Sequence, residues 1–216
     1  MEQQIKRLPR VGIDVDGVLA QFDRPFAYLL KELGCPVDFP THDPQFPNQW
    51  DWDVAYMKDA GMDDEAIAAL QAKAWTAVKR STAFWCTLPE YPTTRQDLLY
   101  LRACIENGWD VYFLTARPGI TAKFQTEAWL ASKGIKIPFV PTVLITENAH
   151  VNKPRMCKAL ELDAIIDDRP SNLAGIVDPT HRFLMQRPWN RDHTLTDVIE
   201  VTTVKDMLQL TLERLG

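Results

Sequence analysis

Two aspartates stand two residues apart in Asp14-Val15-Asp16-Gly17-Val18-Leu19-Ala20, directly after a short apolar run. On an extended strand both side chains would project to one face. Carboxylates that face one site repel each other unless a cation or a proton compensates them. The pair therefore predicts either a bound metal or an acid/base division of labour. Gly17 lets the chain turn away sharply. A solvated strand end followed by a turn would read the same way in isolation. Three other places carry complementary groups, each beyond an apolar run: Thr115 after Val111-Tyr112-Phe113-Leu114, Asp167 and Asp168 after Ala164-Ile165-Ile166, and Lys153 shortly after Val143-Leu144-Ile145-Thr146. Singly these would be a strand-end hydroxyl, a turn or helix cap, and a surface lysine at a helix start. Together they would converge on one edge of a sheet.

The elements that must position them can be read from periodicity. Residues 10–15 (RVGIDV) form a β-branched run that ends in acids and a glycine, a buried strand followed by a turn. Four further runs predict strands: Val111 to Leu114, Val143 to Ile145, Ala164 to Ile166 and Phe183 to Met185. Between them lie helical patterns, such as Thr94 to Asn107, stopped by Gly108, and Thr121 to Lys133, stopped by Gly134. Strands alternating with helices imply parallel βαβ units, hence an α/β, doubly wound parallel sheet whose ligands sit at the carboxyl ends of the strands. About 95 residues separate the first two strands, far more than one crossover helix needs. Residues 26–34 read as helix, 35–53 are rich in Pro, Asp and Trp, and 63–80 form an amphipathic helix with Ile67, Leu70, Ala74 and Val78 on one stripe. The expected organisation is a core of residues 1–20 and 86–216 with a small, mainly helical cap, 21–85, inserted after the first strand.

With 46% hydrophobic and 25% charged residues in a chain of 216, the composition is that of a folded globular domain. No run approaches the roughly 18 apolar residues that cross a bilayer, and the first ten residues lack a secretory stretch, so a cytoplasmic location without membrane contact is expected. Cys35, Cys86, Cys104 and Cys157 show no metal-binding spacing and read as buried free thiols. A net charge of −5 argues against a long nucleic acid as partner.

The segments DVDGVLA, FLTARP, the lysine of VNKP, and IIDDRP resemble, in order and approximate spacing, the four signature motifs of the haloacid dehalogenase (HAD) superfamily, over residues 10 to about 190. The resemblance implies a Rossmann-type core in which Asp14 attacks phosphorus to form an aspartyl phosphate. Asp16 would protonate the leaving group and then activate water; a dehalogenase-type member lacks that second aspartate. It also implies Mg2+ held by Asp14, the backbone carbonyl of Asp16 and Asp168, with Asp167 nearby or bound through water. Thr115 with Ala116, and Lys153, would grip the phosphoryl oxygens. DVDGVLAQF, the helical insert, FLTARP, IIDDRPSNL and QRPWN look most like the 5'(3')-deoxyribonucleotidase family. That likeness places Phe22, eight residues after the nucleophile, in a nucleotide pocket and points to Trp50 and Trp52 as aromatic contacts. The same three aromatics would serve equally as packing. Arg117 would meet substrate, or brace Asp168 or a neighbouring loop, and residues 186–190 would close one side of the site or form a surface loop.

The implied function is an Mg-dependent phosphomonoesterase for nucleoside monophosphates, deoxyribonucleotides first. The alternatives are a polynucleotide-end phosphatase, a phosphatase of another small ester, and a non-catalytic binding module on the same fold. The expected partner is a small phosphate monoester, and a homodimer stays open.

Overall fold

The structure, a computed structural model, describes residues 7–135 and 143–215. Residues 1–6 and 216, assigned above to the core, and 136–142 lie outside the described residues. The chain runs β1 (Arg10–Ile13), α1 (Asp23–Glu32), α2 (Trp52–Asp59), α3 (Asp64–Arg80), α4 (Thr94–Glu106), β2 (Asp110–Thr115), α5 (Ala122–Ser132), β3 (Val143–Ile145), α6 (Ala149–Ala159), β4 (Ala164–Asp167), α7 (Pro170–Leu173), β5 (His181–Met185), a 3-10 turn over Pro188–Asn190, β6 (Ile199–Val201) and α8 (Val204–Leu215).

All strand pairings are parallel and the sheet order is β3-β2-β1-β4-β5-β6. The expected doubly wound α/β fold is what forms, with six strands among the described residues rather than five. β6 has only three residues, Ile-Glu-Val, at the sheet edge against β5, too short for a periodic signal. The connections leave β1 towards one edge and β4 towards the other, so a crevice opens between the carboxyl ends of these two neighbours. In the centre, Ile13 pairs with Phe113 on one side and Ile166 on the other, and all three are fully buried. Helices cover both faces of such a sheet, which is why its strands read as unbroken apolar runs. The Asp14 N–H still bonds to the Ile166 carbonyl at 3.0 Å, which carries the ladder one residue past β1 and sets Asp14 at the mouth beside β4.

Helices α1 to α4 lie between β1 and β2, the first three of them before residue 86. Asp63 caps α3 by accepting from the Ala66 N–H at 2.7 Å, acids fill its first turn and Lys79 and Arg80 its last, as the helix dipole favours. Its Ile67, Ala74 and Val78 are buried. One hydrophobic cluster joins these residues, with Phe26 and Trp52, to Ile13, Val15 and Phe113 of the sheet region. The four cysteines are free thiols; Cys35 and Cys157 are buried and the other two half-buried. No described helix is long and apolar enough to cross a membrane.

Candidate active site

Asp14, Thr115, Asp167 and Asp168 emerge from the carboxyl ends of β1, β2 and β4, and α6 brings Lys153 to them. Lys153 is 1% exposed, not the surface lysine its sequence context allowed. Its Nζ lies 2.9 Å from Asp14 Oδ1 and 2.5 Å from Asp167 Oδ2. Asp167 also accepts from the Arg169 N–H at 2.8 Å and from Asn172 Nδ2 at 3.1 and 3.2 Å, so both of its oxygens are engaged. Asp168 accepts from the Trp189 indole N–H at 2.9 Å, and its backbone carbonyl accepts from Asn190 Nδ2 at 2.6 Å. The carboxylates of Asp14, Asp167 and Asp168 offer oxygens that all lie within 4.8 Å of one another. Burial pushes the Asp14 carboxyl up to about 7 despite the pull of Lys153, and pushes Asp168 well above the carboxylate range, with Asp167 and Asp14 adding to it. Burial alone would lower Lys153, but Asp14 and Asp167 outweigh it and hold its ammonium firmly protonated.

Gly17 takes φ +83, and a Cβ there would stand 2.3 Å from the Asp168 carboxylate carbon. Only a residue without a side chain lets the turn pass so close to Asp168 and adopt that φ.

Asp16 turns to a different cation. Arg117 Nη2 donates to Oδ1 at 2.8 Å and Nε to Oδ2 at 2.9 Å, and Thr115 Oγ1 donates to Oδ2 at 3.3 Å. Arg117 is itself buried, anchored on Thr126 Oγ1 at 3.0 Å and stacked 5.1 Å from the Trp85 ring. The bracing expected of Arg117 therefore falls on Asp16 and not on Asp168. Each aspartate of the pair has its own basic partner, a third solution to their repulsion beside a metal or a shared proton. Ala116, between Thr115 and Arg117, is exposed at the mouth.

The aromatic candidates divide. Phe22 stacks on Phe26, Trp75 and Trp85 at centroid distances of 4.9, 5.5 and 5.7 Å. Trp52 is 3% exposed among Phe26, Phe39 and Phe46, which makes it a core side chain. Its indole N–H donates to Asp23 at 3.1 Å. Trp50 is half exposed, with the Arg169 guanidinium 4.2 Å over its ring. A cavity of about 50 Å3 opens beside Asp16, Asp23, Asp168 and Trp189, and Phe22, Trp50 and Trp52 all contribute to its wall.

Sequence reasoning missed Asp23, which burial pushes up to about 6 against its bond from Trp52. An acid in the first turn of α1 looks like ordinary helix chemistry. Arg187 reads in the sequence only as part of a closing segment. It donates to the Gly17 and Val18 carbonyls at 2.6 and 2.9 Å and stacks 3.8 Å over Tyr91, so it holds the turn after Asp16 from behind. With Trp189 and Asn190 on Asp168, the segment 186–190 is a brace for the site rather than a plain surface loop.

No protein-family profile matches the chain, and no curated protein matches it significantly in sequence. Solved structures do match. The haloacid dehalogenase-like family protein SP0104 from Streptococcus pneumoniae aligns with a TM-score of 0.59 at 13% identity, over 94% of this chain and 98% of that one. A predicted phosphatase from Clostridium acetobutylicum aligns with a TM-score of 0.62 at 13% identity, over 95% and 99%. The HAD-hydrolase YfnB from Bacillus subtilis, described as bound to magnesium, aligns with a TM-score of 0.54 at 16% identity, over 96% and 100%. Dehalogenases stand among the similar structures as well. Across nearly the whole length of each partner, then, the chain has the α/β fold of the haloacid dehalogenase-like hydrolases.

Proposed function

We propose that this protein is a magnesium-dependent phosphomonoester hydrolase with Asp14 as nucleophile, acting on nucleoside monophosphates, deoxyribonucleotides first. The observation that carries the reading is the meeting of Asp14, Lys153 and Asp168 at one sheet edge, with Asp16 held beside Thr115. Asp14 attacks phosphorus in line as the bond to the leaving oxygen breaks, and water then releases the phosphoryl group from Asp14. Asp16 gives the leaving alkoxide its proton and takes one from that water. Thr115, Ala116 and Lys153 hold the phosphoryl oxygens. Expelling a halide needs no proton donor, whereas expelling an alkoxide does, so Asp16 favours phosphoryl transfer over dehalogenation on this fold.

The donor set fits a hard divalent cation: three buried carboxylates face one lysine, and all the donors are oxygens. Asp14, Asp168 and the backbone carbonyl of Asp16 would hold it. Asp167, engaged by Lys153 and Asn172, stands behind them. Magnesium there would offset the charge on the phosphoryl oxygens. Residues 21–85 act as the cap that bounds the site over a core of 1–20 and 86–216.

Release of inorganic phosphate from nucleoside monophosphates is the test, with wild type and Asp14→Asn measured with magnesium and after exhaustive chelation. Turnover is expected only in wild type with metal. Undiminished turnover in a folded Asp14→Asn protein rules out the nucleophile, and undiminished turnover after chelation rules out the metal.

A further inference from the structure

Arg117 is 1% exposed, too deep to meet a substrate. Its Nε and Nη2 go to Asp16, at 2.9 Å to Oδ2 and 2.8 Å to Oδ1. Its Nη1 goes to Thr126 Oγ1 on α5 at 3.0 Å and to the Trp85 carbonyl at 3.5 Å, and its guanidinium lies 5.1 Å from the Trp85 ring. These anchors are themselves fixed. Trp85 is 2% exposed; its backbone N–H donates to Gln125 Oε1 at 2.8 Å and its indole N–H to the Pro118 carbonyl at 3.1 Å. Gln125 in turn donates to the Ser81 carbonyl at 2.8 Å. Phe22 stacks on Trp85 at 5.7 Å, and these two residues stand at the ends of residues 21–85, the cap proposed above. The guanidinium therefore rests on α5 and on the paired ends of the insert, and it keeps its place when a ligand arrives.

An arginine fork fixes the direction of a carboxylate as well as its charge. A carboxylate accepts along about four lone-pair directions. Arg117 and Thr115 Oγ1 occupy most of those of Asp16, yet 24% of its side chain stays exposed. Asp16 also borders the cavity of about 50 Å3, which is room enough for a water molecule.

We propose that Arg117 is a positioning residue for the second half of the reaction: it holds Asp16 turned to take a proton from the water that hydrolyses the phosphoenzyme. The assignment rests on the phosphatase reading above. In that half the water oxygen bonds to phosphorus, the bond from phosphorus to the Asp14 oxygen breaks, and the water proton passes to Asp16. Inorganic phosphate leaves and the Asp14 carboxylate is restored. The first half has the opposite need, a proton delivered to the leaving oxygen, and the fork of Arg117 gives no help there. With a leaving group that needs no proton, loss of Arg117 is thus felt in the second half alone.

Wild type, Arg117→Lys, Arg117→Met and Thr126→Val are compared on 4-nitrophenyl phosphate with magnesium by rapid mixing. Release of 4-nitrophenolate reports the first half. Phosphate bound to the acid-quenched protein, together with free phosphate, reports the second. In Arg117→Met, phosphate release per phosphorylated enzyme is expected to fall at least about tenfold, a part of the roughly 100- to 10,000-fold that a general base supplies. The first turnover of 4-nitrophenolate is expected to stay close to wild type. Arg117→Lys keeps the charge but not the fork, so its loss should be smaller. Thr126→Val removes one anchor of Arg117 without touching Asp16 and should show the same split, which decides the matter if Arg117→Met does not fold. If the variants slow both halves alike, or leave phosphoenzyme hydrolysis unchanged, Arg117 is only structural and the phosphatase reading stands without it. If wild type releases no 4-nitrophenolate, the phosphatase reading fails and this assignment with it.

Discussion

Asp16 accepts from Arg117 through both carboxylate oxygens, and an acid must hold a proton to give one. The pair as it stands is that of a base, suited to taking a proton from water in the second half of the reaction. In the first half, Asp16 must gain a proton or leave Arg117 as the substrate enters. The demand for that proton rises with the basicity of the leaving oxygen. Asp16→Asn is therefore expected to slow an alkyl phosphate by roughly 100- to 10,000-fold, the usual range for general acid/base groups, and an aryl phosphate far less. Equal losses in kcat on the two would remove Asp16 from the proton transfer.

The turn between β1 and α1 brings the two aspartates together with Asp168, and its shape depends on Gly17. Replacing Gly17 by Ala adds a Cβ 2.3 Å from the Asp168 carboxylate carbon at φ +83. The backbone strain alone costs about 1 to 3 kcal/mol, and the contact must also displace Asp168. Gly34 offers a control, since its φ of +96 carries the same kind of strain with nothing within 4 Å of the added atom. Thermal melts are expected to show both Ala variants destabilised. Only Gly17→Ala should also raise the magnesium concentration needed for half-maximal phosphate release. If Gly17→Ala shows the same magnesium requirement as Gly34→Ala, the close approach to Asp168 has no bearing on metal binding.

Across the whole molecule, the buried acids make stability depend on pH and on metal. Burial lifts Asp14 from 3.8 to about 7 and Asp23 from 3.8 to about 6. A carboxyl raised in the folded state favours folding while it is protonated. That contribution is fully present below the unfolded value and is lost as pH rises through the folded one. In the presence of a chelator, the melting temperature is expected to fall between about pH 5 and about pH 8, and Asp14→Asn should lessen the fall. Millimolar magnesium should restore stability at the upper pH, because it binds the ionised carboxylates of the folded state alone. A melting temperature flat across this range, with and without magnesium, would show that burial does not raise these carboxyls as described.

The strand ends and the groups they carry are legible from local pattern alone. Asp14, Thr115, Asp167 and Asp168 each follow a short apolar run, because a central parallel strand is buried on both faces and its carboxyl end is where the chain can expose chemistry. The helices with clear stripes and stops, α3, α4 and α5, were legible for the same local reason. β6 was not, since three residues at a sheet edge carry no period. The partners of the site residues follow from how the strands and helices assemble. Arg117 reaches Asp16 across 101 residues, and Arg187 reaches Gly17 across 170. Those bonds depend on which strands end side by side, and strand order leaves no mark on local pattern. The same holds for the aromatics: Trp50 and Trp52 sit two residues apart in one segment, yet the fold buries Trp52 among Phe26, Phe39 and Phe46 and leaves Trp50 half exposed beside Arg169. Residue type allowed each tryptophan to stack on a ligand, and only packing determined which one kept an open face.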